Sequence, residues 1–311
     1  MESDCKVKEW AEGGRKMAER TEKGTMGIVG ASGFIGGRLA EMAASAGWRV
    51  VGFSRAGSGP GSAVAEWRKW GGAVDLAGIR VLVNLAGEPV DQRWTAAAKQ
   101  RFHESRVGVT AALAGAMRTG GGPEVWVNGS AVGIYGDRGD EILTEDAAAG
   151  DGYLAELCQA WEAAAVAEGV RVMTWRTGIV LGRGGAAWDK MRRVFQLGAG
   201  GRFGDGRQWM PWIHVDDLAG GILHAVGSGI SGPVNGSAPE VERNADFTRK
   251  LASALRRPAL LPAPAWGLRL ALGEFAGALL ASQRVVPEKL VADGYEFSFP
   301  TLESALADLV D

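Results

Sequence analysis

The chain has few of the residues that build metal sites, disulfide frameworks or polyanion-binding surfaces. It contains 2 cysteines, 3 histidines and 3 tyrosines in 311 residues. Cys5 and Cys158 lie far apart and belong to no cluster with metal-ligand spacing, so they indicate neither a disulfide framework nor a metal centre. The formal net charge is −2, and no basic stripe with interleaved aromatic residues is present. The sequence therefore predicts no nucleic-acid partner and no metal.

Long apolar runs are also missing. The most apolar late stretch, residues 265 to 281, is interrupted by Arg269 and Glu274, which predicts a packed amphipathic helix rather than a membrane span. Residues 1 to 24 are rich in Lys, Glu and Arg and lack the apolar core of a secretory signal. We expect them to form a flexible extension of a cytoplasmic protein that has no membrane partner.

Glycine, in contrast, is abundant, with 48 residues. Three of them, Gly30, Gly33 and Gly36, have the spacing G-x-x-G-x-x-G between an apolar run (26 to 29) and a segment with helical periodicity. Chance matches are easy in a glycine-rich chain, but the order strand, turn, helix favours a dinucleotide-binding motif. Glycines allow a pyrophosphate to approach the backbone, and the helix N-terminus offers N–H groups to it.

The end of the second predicted strand, residues 49 to 53, indicates the cofactor. Ser54 and Arg55 follow that strand, where an acidic residue would bind the ribose hydroxyls of NAD. A hydroxyl and a guanidinium suit a 2′-phosphate, so the sequence favours NADP. The alternative is that Arg55 is only a surface charge.

The rest of the chain alternates strands with helices, which predicts an α/β fold with a doubly wound parallel sheet. Further strands are expected at 80–87, 124–128 and 171–181, with a weak one within 65–75, and helices at 94–117 and 153–167. Residues 212 to 218 predict a strand-to-helix junction with an acidic N-cap. We assign residues 25–182 to a Rossmann domain, completed by about 209–235, and residues 183–208 and 236–311 to a smaller C-terminal α/β lobe.

A few polar residues in this pattern are candidates for chemistry. Ser130 follows a central strand and could bind a substrate oxygen, or it could cap a turn. His103 is expected to be a surface residue. In the lobe, four side chains suit an anionic or planar ligand, or else pack the lobe onto the sheet: Arg202, Arg207, Trp209 and Trp212.

Several ordered motifs resemble the extended short-chain dehydrogenases/reductases of the NAD-dependent epimerase/dehydratase superfamily. They resemble in particular an atypical branch called epimerase family proteins, which has a C-terminal domain of unknown function. The motifs are Gly-Ala-Ser-Gly-Phe-Ile-Gly (30–36), Asn-Leu-Ala-Gly-Glu-Pro (84–89), Glu-Ser-Arg (104–106), Leu-Cys-Gln-Ala-Trp-Glu (157–162), Arg-Thr-Gly-Ile-Val-Leu-Gly (176–182), Gly-Arg-Gln-Trp-Met-Pro-Trp-Ile-His-Val-Asp-Asp (206–217), Ser-Gln-Arg-Val-Val-Pro (282–287) and Tyr-Glu-Phe-Ser-Phe-Pro-Thr-Leu (295–302).

The resemblance implies a Rossmann fold that binds NADP(H), with a set of cofactor-binding residues taken from the matching positions. These residues are Gly30, Ser32, Gly33, Phe34, Ile35, Gly36, Ser54, Arg55, Leu85, Ala86, Gly87, Arg106 and Val180.

The sequence departs from the superfamily at the catalytic pair. The superfamily uses Tyr-x-x-x-Lys on the helix that is predicted here at 153–167, with a Ser or Thr at the position of Ser130. Four residues after Tyr153 stands Leu157, and aligning on Glu162 instead places Leu154 and Cys158 at the two positions. No lysine occurs between Lys99 and Lys190. A tyrosine with an ordinary pKa near ~10 is a poor base at neutral pH, so the parent mechanism does not carry over.

Three functions follow as hypotheses. The first is an NADP(H)-dependent oxidoreductase that acts on a small carbonyl or hydroxyl substrate through Ser130 and Tyr153, with Tyr135, Glu88 and Cys158 as weaker candidates. The second is a catalytically inactive NADP-binding sensor or interaction protein. Epimerisation of a nucleotide sugar is third, because that chemistry also needs a proton shuttle. The sequence does not encode a substrate or an oligomeric state that we can identify.

Overall fold

The structure is a computed structural model that describes residues 23–71, 74–120 and 122–310. Most of the predicted flexible extension, residues 1–22, lies outside the described residues, and so does Cys5.

A seven-stranded parallel sheet forms the centre of the molecule. Its strands are β1 (Thr25–Val29), β2 (Arg49–Ser54), β3 (Glu66–Lys69), β4 (Val81–Asn84), β5 (Val125–Ala131), β7 (Arg171–Thr177) and β11 (Gly232–Gly236). Their order is β11-β7-β5-β4-β1-β2-β3, so the direction of winding reverses between β1 and β4. A ligand crevice lies at such a reversal, outside the carboxyl ends of the strands. The predicted doubly wound Rossmann fold is confirmed, and the weak third strand is real.

Helices cover both faces of the sheet because its strands are apolar on both sides. The helices between the strands are α1 (Phe34–Ser45), α2 (Ala96–His103), α3 (Val109–Gly120), α4 (Tyr153–Ala163), α5 (Ala186–Gln196) and α6 (Val215–Gly227). Leu39 of α1 and Ile222 of α6 belong to the core on one face. Leu113 of α3 packs with Leu82 and Trp126 on the other face.

The smaller C-terminal region is mainly helical. It contains α7 (Asn244–Ala254), α8 (Ala265–Leu272), α9 (Phe275–Leu280), α10 (Glu288–Ala292) and α11 (Leu302–Val310). Four short strands tie it to the rest: β6 (Ile142–Leu143) pairs with β13 (Arg284–Val285), and β9 (Trp209–Met210) pairs with β12 (Glu242–Arg243). A separate core joins this region to the start of the lobe, with Trp188 and Trp212 packed against Phe247 and Leu306.

Several predicted elements are interrupted. The helix expected at 94–117 contains a five-residue π-helical segment, Glu104–Gly108, between α2 and α3. The strand expected at 171–181 breaks at Gly178 into β7 and β8 (Ile179–Leu181), and β8 pairs with β10 (Trp212–His214) instead of continuing the main sheet. The packed helix expected at 265–281 is divided by Gly273, which has φ 64°. The helix expected at 153–167 ends at Ala163.

The junction between β10 and α6 corrects the prediction of an acidic N-cap. His214 caps the helix, since its Nδ1 accepts a hydrogen bond from the backbone N–H of Asp216 at 3.2 Å. Asp216 instead accepts two hydrogen bonds from Arg38 of α1, at 2.6 and 2.9 Å. Asp217 is buried and accepts the backbone N–H groups of Ser298 and Phe299 at 2.7 and 2.8 Å. This junction therefore joins the sheet to the C-terminal region.

We predict that His214 makes the protein less stable in mild acid. Burial lowers its pKa from the ordinary 6.5, so the folded state binds a proton at the imidazole less readily than the unfolded chain does. Below pH ~6.5 the unfolded chain binds a proton that the folded chain does not, so stability rises with pH there and falls with acidification, by up to about 1.4 kcal/mol per pH unit.

Urea unfolding between pH 5 and 7 measures this slope, and the His214→Asn variant should flatten it while keeping an acceptor at the cap. The matched control is His103→Asn, because His103 is exposed on α2. An unchanged slope in His214→Asn would contradict the assignment.

Candidate cofactor and catalytic site

The glycine turn after β1 has a backbone that only glycine accommodates. Gly30 has φ 86°. A Cβ on Gly36 would lie 2.2 Å from the carbonyl oxygen of Gly30, and a Cβ on Gly30 would lie 3.2 Å from the backbone of Leu85. Close packing of α1 against the turn therefore requires glycine at these positions.

The N-terminus of α1 is open to an anion. Among the described residues no side chain caps this helix, and its first turn has no acidic residue. Gly33 and Ser32 are exposed. Uncapped N–H groups at a helix start bind phosphate, so the turn fits the pyrophosphate of a dinucleotide.

Other predicted cofactor residues lie around this turn. Phe34 contacts the turn after β8, where a Cβ on Gly182 or Gly185 would lie within 2.7 Å of its ring. Val180 lies on β8, just before that turn. Arg106 donates from Nη2 to the carbonyl oxygen of Glu88 at 2.9 Å, and its guanidinium lies against Gly87. Burial lowers the pKa of Arg106. The structure thus brings Gly30, Phe34, Leu85, Gly87 and Arg106 to the carboxyl edge of the sheet.

The predicted 2′-phosphate residues lie at the end of β2, next to β1. The Ser54 hydroxyl donates to the carbonyl oxygen of Ser58 at 2.7 Å and accepts its N–H at 3.1 Å, so it closes the following turn. Arg55 is exposed and has no hydrogen bond or ion pair with any residue in the described ranges. The arginine is therefore available to a phosphate, whereas the serine hydroxyl is already engaged.

At the end of β5, Ser130 belongs to a buried ionic network. Its hydroxyl donates to Glu162 Oε1 at 2.6 Å. The same carboxylate accepts two hydrogen bonds from Arg176, at 2.9 and 3.0 Å. Side-chain exposure is 9% for Arg176 and 14% for Glu162. Because Ser130 gives its proton to Glu162, its remaining lone pairs can only accept a hydrogen bond from a ligand.

The network continues through Tyr135, which is fully buried. Arg176 Nη1 donates to the Tyr135 hydroxyl at 2.9 Å, and that hydroxyl lies 2.7 Å from Asn235 Oδ1. Burial raises the pKa of Tyr135. Tyr135 therefore supports the network by its hydrogen bonds to Arg176 and Asn235, and it is a poor candidate for proton transfer.

Tyr153 has a different environment from Ser130. Its hydroxyl donates to the backbone oxygen of Lys99 at 3.2 Å, and its ring packs on Trp94 with centroids 5.2 Å apart. Burial raises its pKa more than the positive charge of Arg106 lowers it, so Tyr153 is a poor base at neutral pH. Its catalytic role stays a prediction.

A buried thiol occupies the position of the superfamily's lysine. This holds in the alignment that places Leu154 and Cys158 at the catalytic pair. Cys158 is 3% exposed, and burial raises its pKa to about 12. It is therefore neutral at physiological pH and cannot replace a lysine. Glu88, the other weak candidate, is engaged by Arg101 at 2.8 Å.

Sequence reasoning missed Glu162 and Arg176 as site residues. One signal was available: Arg176 stands near the carboxyl end of a predicted central strand, where burial is expected, and a buried arginine requires an anionic partner. The tryptophans of the lobe pack rather than line a site, since Trp212 is fully buried and donates to the carbonyl oxygen of Glu240 at 3.0 Å. Trp209 donates to Asp140 at 2.8 Å. Arg202 and Arg207 are exposed.

The strand order, the glycine turn and the uncapped helix together define a Rossmann-type dinucleotide-binding protein. The NAD dependent epimerase/dehydratase family matches residues 26–237, and a domain of unknown function (DUF1731) matches residues 263–309. The chain belongs to the NAD dependent epimerase/dehydratase family.

Individual relatives agree with this assignment. The chain is 35% identical to the Arabidopsis thaliana epimerase family protein SDR39U1 homolog, chloroplastic, with 93% of this chain and 87% of the relative covered. It is similar to the crystal structure of human epimerase family protein SDR39U1 with NADPH, with a TM-score of 0.85, 34% identity and coverage of 92% of this chain and 99% of that one. A nucleoside-diphosphate sugar epimerase from Corynebacterium glutamicum matches with a TM-score of 0.74 and 33% identity, over 92% of this chain and 58% of that one.

Proposed function

We propose that this protein binds NADP(H) and acts as an oxidoreductase on a small molecule that carries a hydroxyl or carbonyl group, with Ser130 holding the reacting oxygen. The observation that carries the proposal is the 2.6 Å hydrogen bond from Ser130 to Glu162 at the carboxyl edge of the sheet. The NADPH in the human relative supports the cofactor. When bound, NADP(H) supplies or accepts the hydride.

The chain's own residues then provide a route for one proton. A substrate hydroxyl donates to Ser130 Oγ, because the serine's own proton points to Glu162. On oxidation the substrate proton passes to Ser130 Oγ as the serine proton passes to Glu162, and reduction reverses both transfers. Arg176 fixes the orientation of the carboxylate through its two hydrogen bonds. Ser130 and Glu162 thus replace the missing Tyr–Lys pair.

A substrate panel tests this proposal. Purified protein is incubated with NADP⁺ and polyols, sugars or hydroxy acids, and NADPH formation is followed by absorbance. With an active compound, Ser130→Ala should lower kcat by about 10²- to 10⁴-fold and leave NADPH affinity unchanged. A larger loss in Tyr153→Phe would move the role to that tyrosine. Tight NADPH binding without turnover of any compound would contradict an oxidoreductase.

We also predict that Arg55 selects NADPH over NADH. Loss of a charge-assisted contact of about 1.5–3 kcal/mol should weaken NADPH binding by about 10- to 100-fold in Arg55→Ala, with NADH affinity unchanged. Calorimetric titration measures both affinities. Arg49→Ala is the matched control. Arg49 lies at the amino end of the same strand, far from the proposed phosphate site, and pairs with Glu66. Equal losses for the two cofactors would contradict the role of Arg55.

The buried thiol of Cys158 at the lysine position supports a second candidate, a catalytically inactive NADP(H)-binding sensor or interaction protein. It predicts that Ser130→Ala leaves the cellular phenotype intact and that Arg55→Ala disturbs it. A phenotype lost in Ser130→Ala while folding and NADPH binding persist would contradict it. Nucleotide-sugar epimerisation, named for the Corynebacterium relative, is a weaker proposal because its only support is the name of that relative. A cytoplasmic location and a small-molecule rather than nucleic-acid partner remain predictions.

A further inference from the structure

The helix α8 and the loop before it expose large apolar side chains. Trp266 and Leu270 of α8 are 70% and 73% exposed, and Leu260 and Leu261 of the loop are 82% and 67% exposed. Trp266 and Leu270 are four residues apart and therefore lie on one face of the helix. No residue of α8 is fully buried, and only one side of the helix, with Leu268 and Leu272, is half-buried, so the helix lies on the surface with its other side open. Single apolar residues are common on protein surfaces, but a group of large exposed ones on one helix face indicates an interaction site.

A second exposed segment lies beside this loop. Leu197, at the end of α5, is 77% exposed. The chain that follows it is joined to the loop by two hydrogen bonds, from the N–H of Ala263 to Arg202 and from the N–H of Gly204 to Ala263, each 2.8 Å long. Residues 190–204 and 256–270 thus form one surface, which we call the apolar-basic face.

Charge is strongly biased on this face. The sequence has no acidic residue from Lys190 to Gly204 or between Asp246 and Glu274, although the whole chain has a net charge of −2. Six exposed arginines of the face have no ion pair within the described part of the chain: Arg192, Arg193, Arg202, Arg256, Arg257 and Arg269. The other basic residues of these segments, Lys190, Arg249 and Lys250, are paired with acidic residues.

We propose that the apolar-basic face docks onto the surface of a bilayer that contains anionic phospholipid. Exposed Trp and Leu on a surface helix insert into the boundary between headgroups and acyl chains, and surrounding arginines bind the anionic headgroups. No helix of the described residues is long and apolar enough to cross a membrane, so docking is peripheral. The proposal replaces the expectation, drawn from the sequence, that the protein has no membrane partner, and it does not depend on the proposed enzymatic function.

Charge argues against a second copy of the chain as the occupant. A twofold contact places the same patch of each copy against itself. Six unpaired arginines from each copy would then face one another, which is repulsive. A helical or extended peptide partner would dock into a groove, whereas Trp266 and Leu270 stand 70% and 73% exposed on the helix surface. A bilayer surface that contains anionic lipid is flat, so it can contact an exposed helix face. It is also negatively charged, so it attracts the arginines.

Flotation with vesicles tests the proposal on the full chain. We expect binding to vesicles of phosphatidylcholine mixed with phosphatidylglycerol, little binding to phosphatidylcholine alone, and weaker binding as salt rises. The triple variant Arg256→Gln/Arg257→Gln/Arg269→Gln should bind on the order of 100-fold more weakly. Trp266→Ser/Leu270→Ser should bind at least about tenfold more weakly.

Matched controls lie elsewhere on the surface. Arg118→Gln removes an exposed arginine of α3, and Val166→Ser removes a side chain that is 67% exposed beyond the end of α4. Both should bind like the wild type, and circular dichroism melting should show that all variants fold. No binding to the anionic vesicles, equal binding to both vesicle types, or full binding by the arginine variant would overturn the proposal. A wild-type dimer that Trp266→Ser/Leu270→Ser converts to monomer would also overturn it, because a second copy would then cover the face.

Discussion

The Gly36→Ala variant is expected to lose NADPH binding by at least about 100-fold, which corresponds to losing two charge-assisted hydrogen bonds to the pyrophosphate. The new Cβ would lie 2.2 Å from the carbonyl oxygen of Gly30 and 2.8 Å from its carbonyl carbon. Both obstacles are backbone atoms, so the turn itself has to move away from the start of α1. The uncapped N–H groups at the helix start, which would hold the pyrophosphate, move with it. Calorimetric titration with NADPH measures the loss.

The next residue of the same helix provides the control. A Cβ on Gly37 would meet only the carbonyl oxygen of Ala31, at 3.7 Å, which is an ordinary contact. Gly37→Ala should therefore bind NADPH like the wild type and stabilise the fold by about 0.5–1 kcal/mol, as expected for alanine in a helix. If both variants bound NADPH normally, the close approach of Gly36 to the turn would have no part in cofactor binding.

Replacing Glu162 is expected to cause the largest loss of stability. Glu162→Ala removes the carboxylate that holds the Arg176 guanidinium, whose side chain is 9% exposed. An uncompensated buried charge costs about 3–5 kcal/mol, and urea unfolding measures that change. On the same helix, Glu156 is exposed, so Glu156→Ala should change stability by less than about 0.5 kcal/mol.

A double variant separates stability from function. Glu162→Leu/Arg176→Met removes both charges and should recover most of the stability lost in Glu162→Ala. Ser130 has no carboxylate to accept its proton in either variant, so turnover should stay low in both. A double variant that recovered activity together with stability would show that Glu162 supports the fold alone.

The fold was predictable because local patterns agree with it. Each local pattern predicts the structure of the segment in which it occurs: continuous apolar runs predict strands, helical periodicity predicts helices, and the glycines predict a turn. The order of strands and helices then predicts a parallel sheet. The interruptions were not predictable from periodicity. The π-helical segment at 104–108 differs from an α-helix in its backbone hydrogen bonds, which side-chain periodicity does not report. The break at Gly178 becomes visible only when β8 pairs with β10.

The candidate site was predictable only in part, for a related reason. The turn at Gly30 is local, and its strand and helix neighbours stand beside it in the sequence. Ser130, Glu162 and Arg176 come from three different elements, and only the packing of α4 against the strands shows that they meet. The acidic cap expected at the start of α6 was wrong because His214 takes the cap and Asp217 binds the C-terminal region.

Calorimetric titration of the full chain with NADPH and with NADH tests directly whether the turn after β1 binds a phosphorylated nicotinamide dinucleotide. We expect saturable binding of one NADPH per chain and much weaker binding of NADH. No heat with either cofactor would contradict dinucleotide binding, and tighter binding of NADH would contradict the role of Arg55.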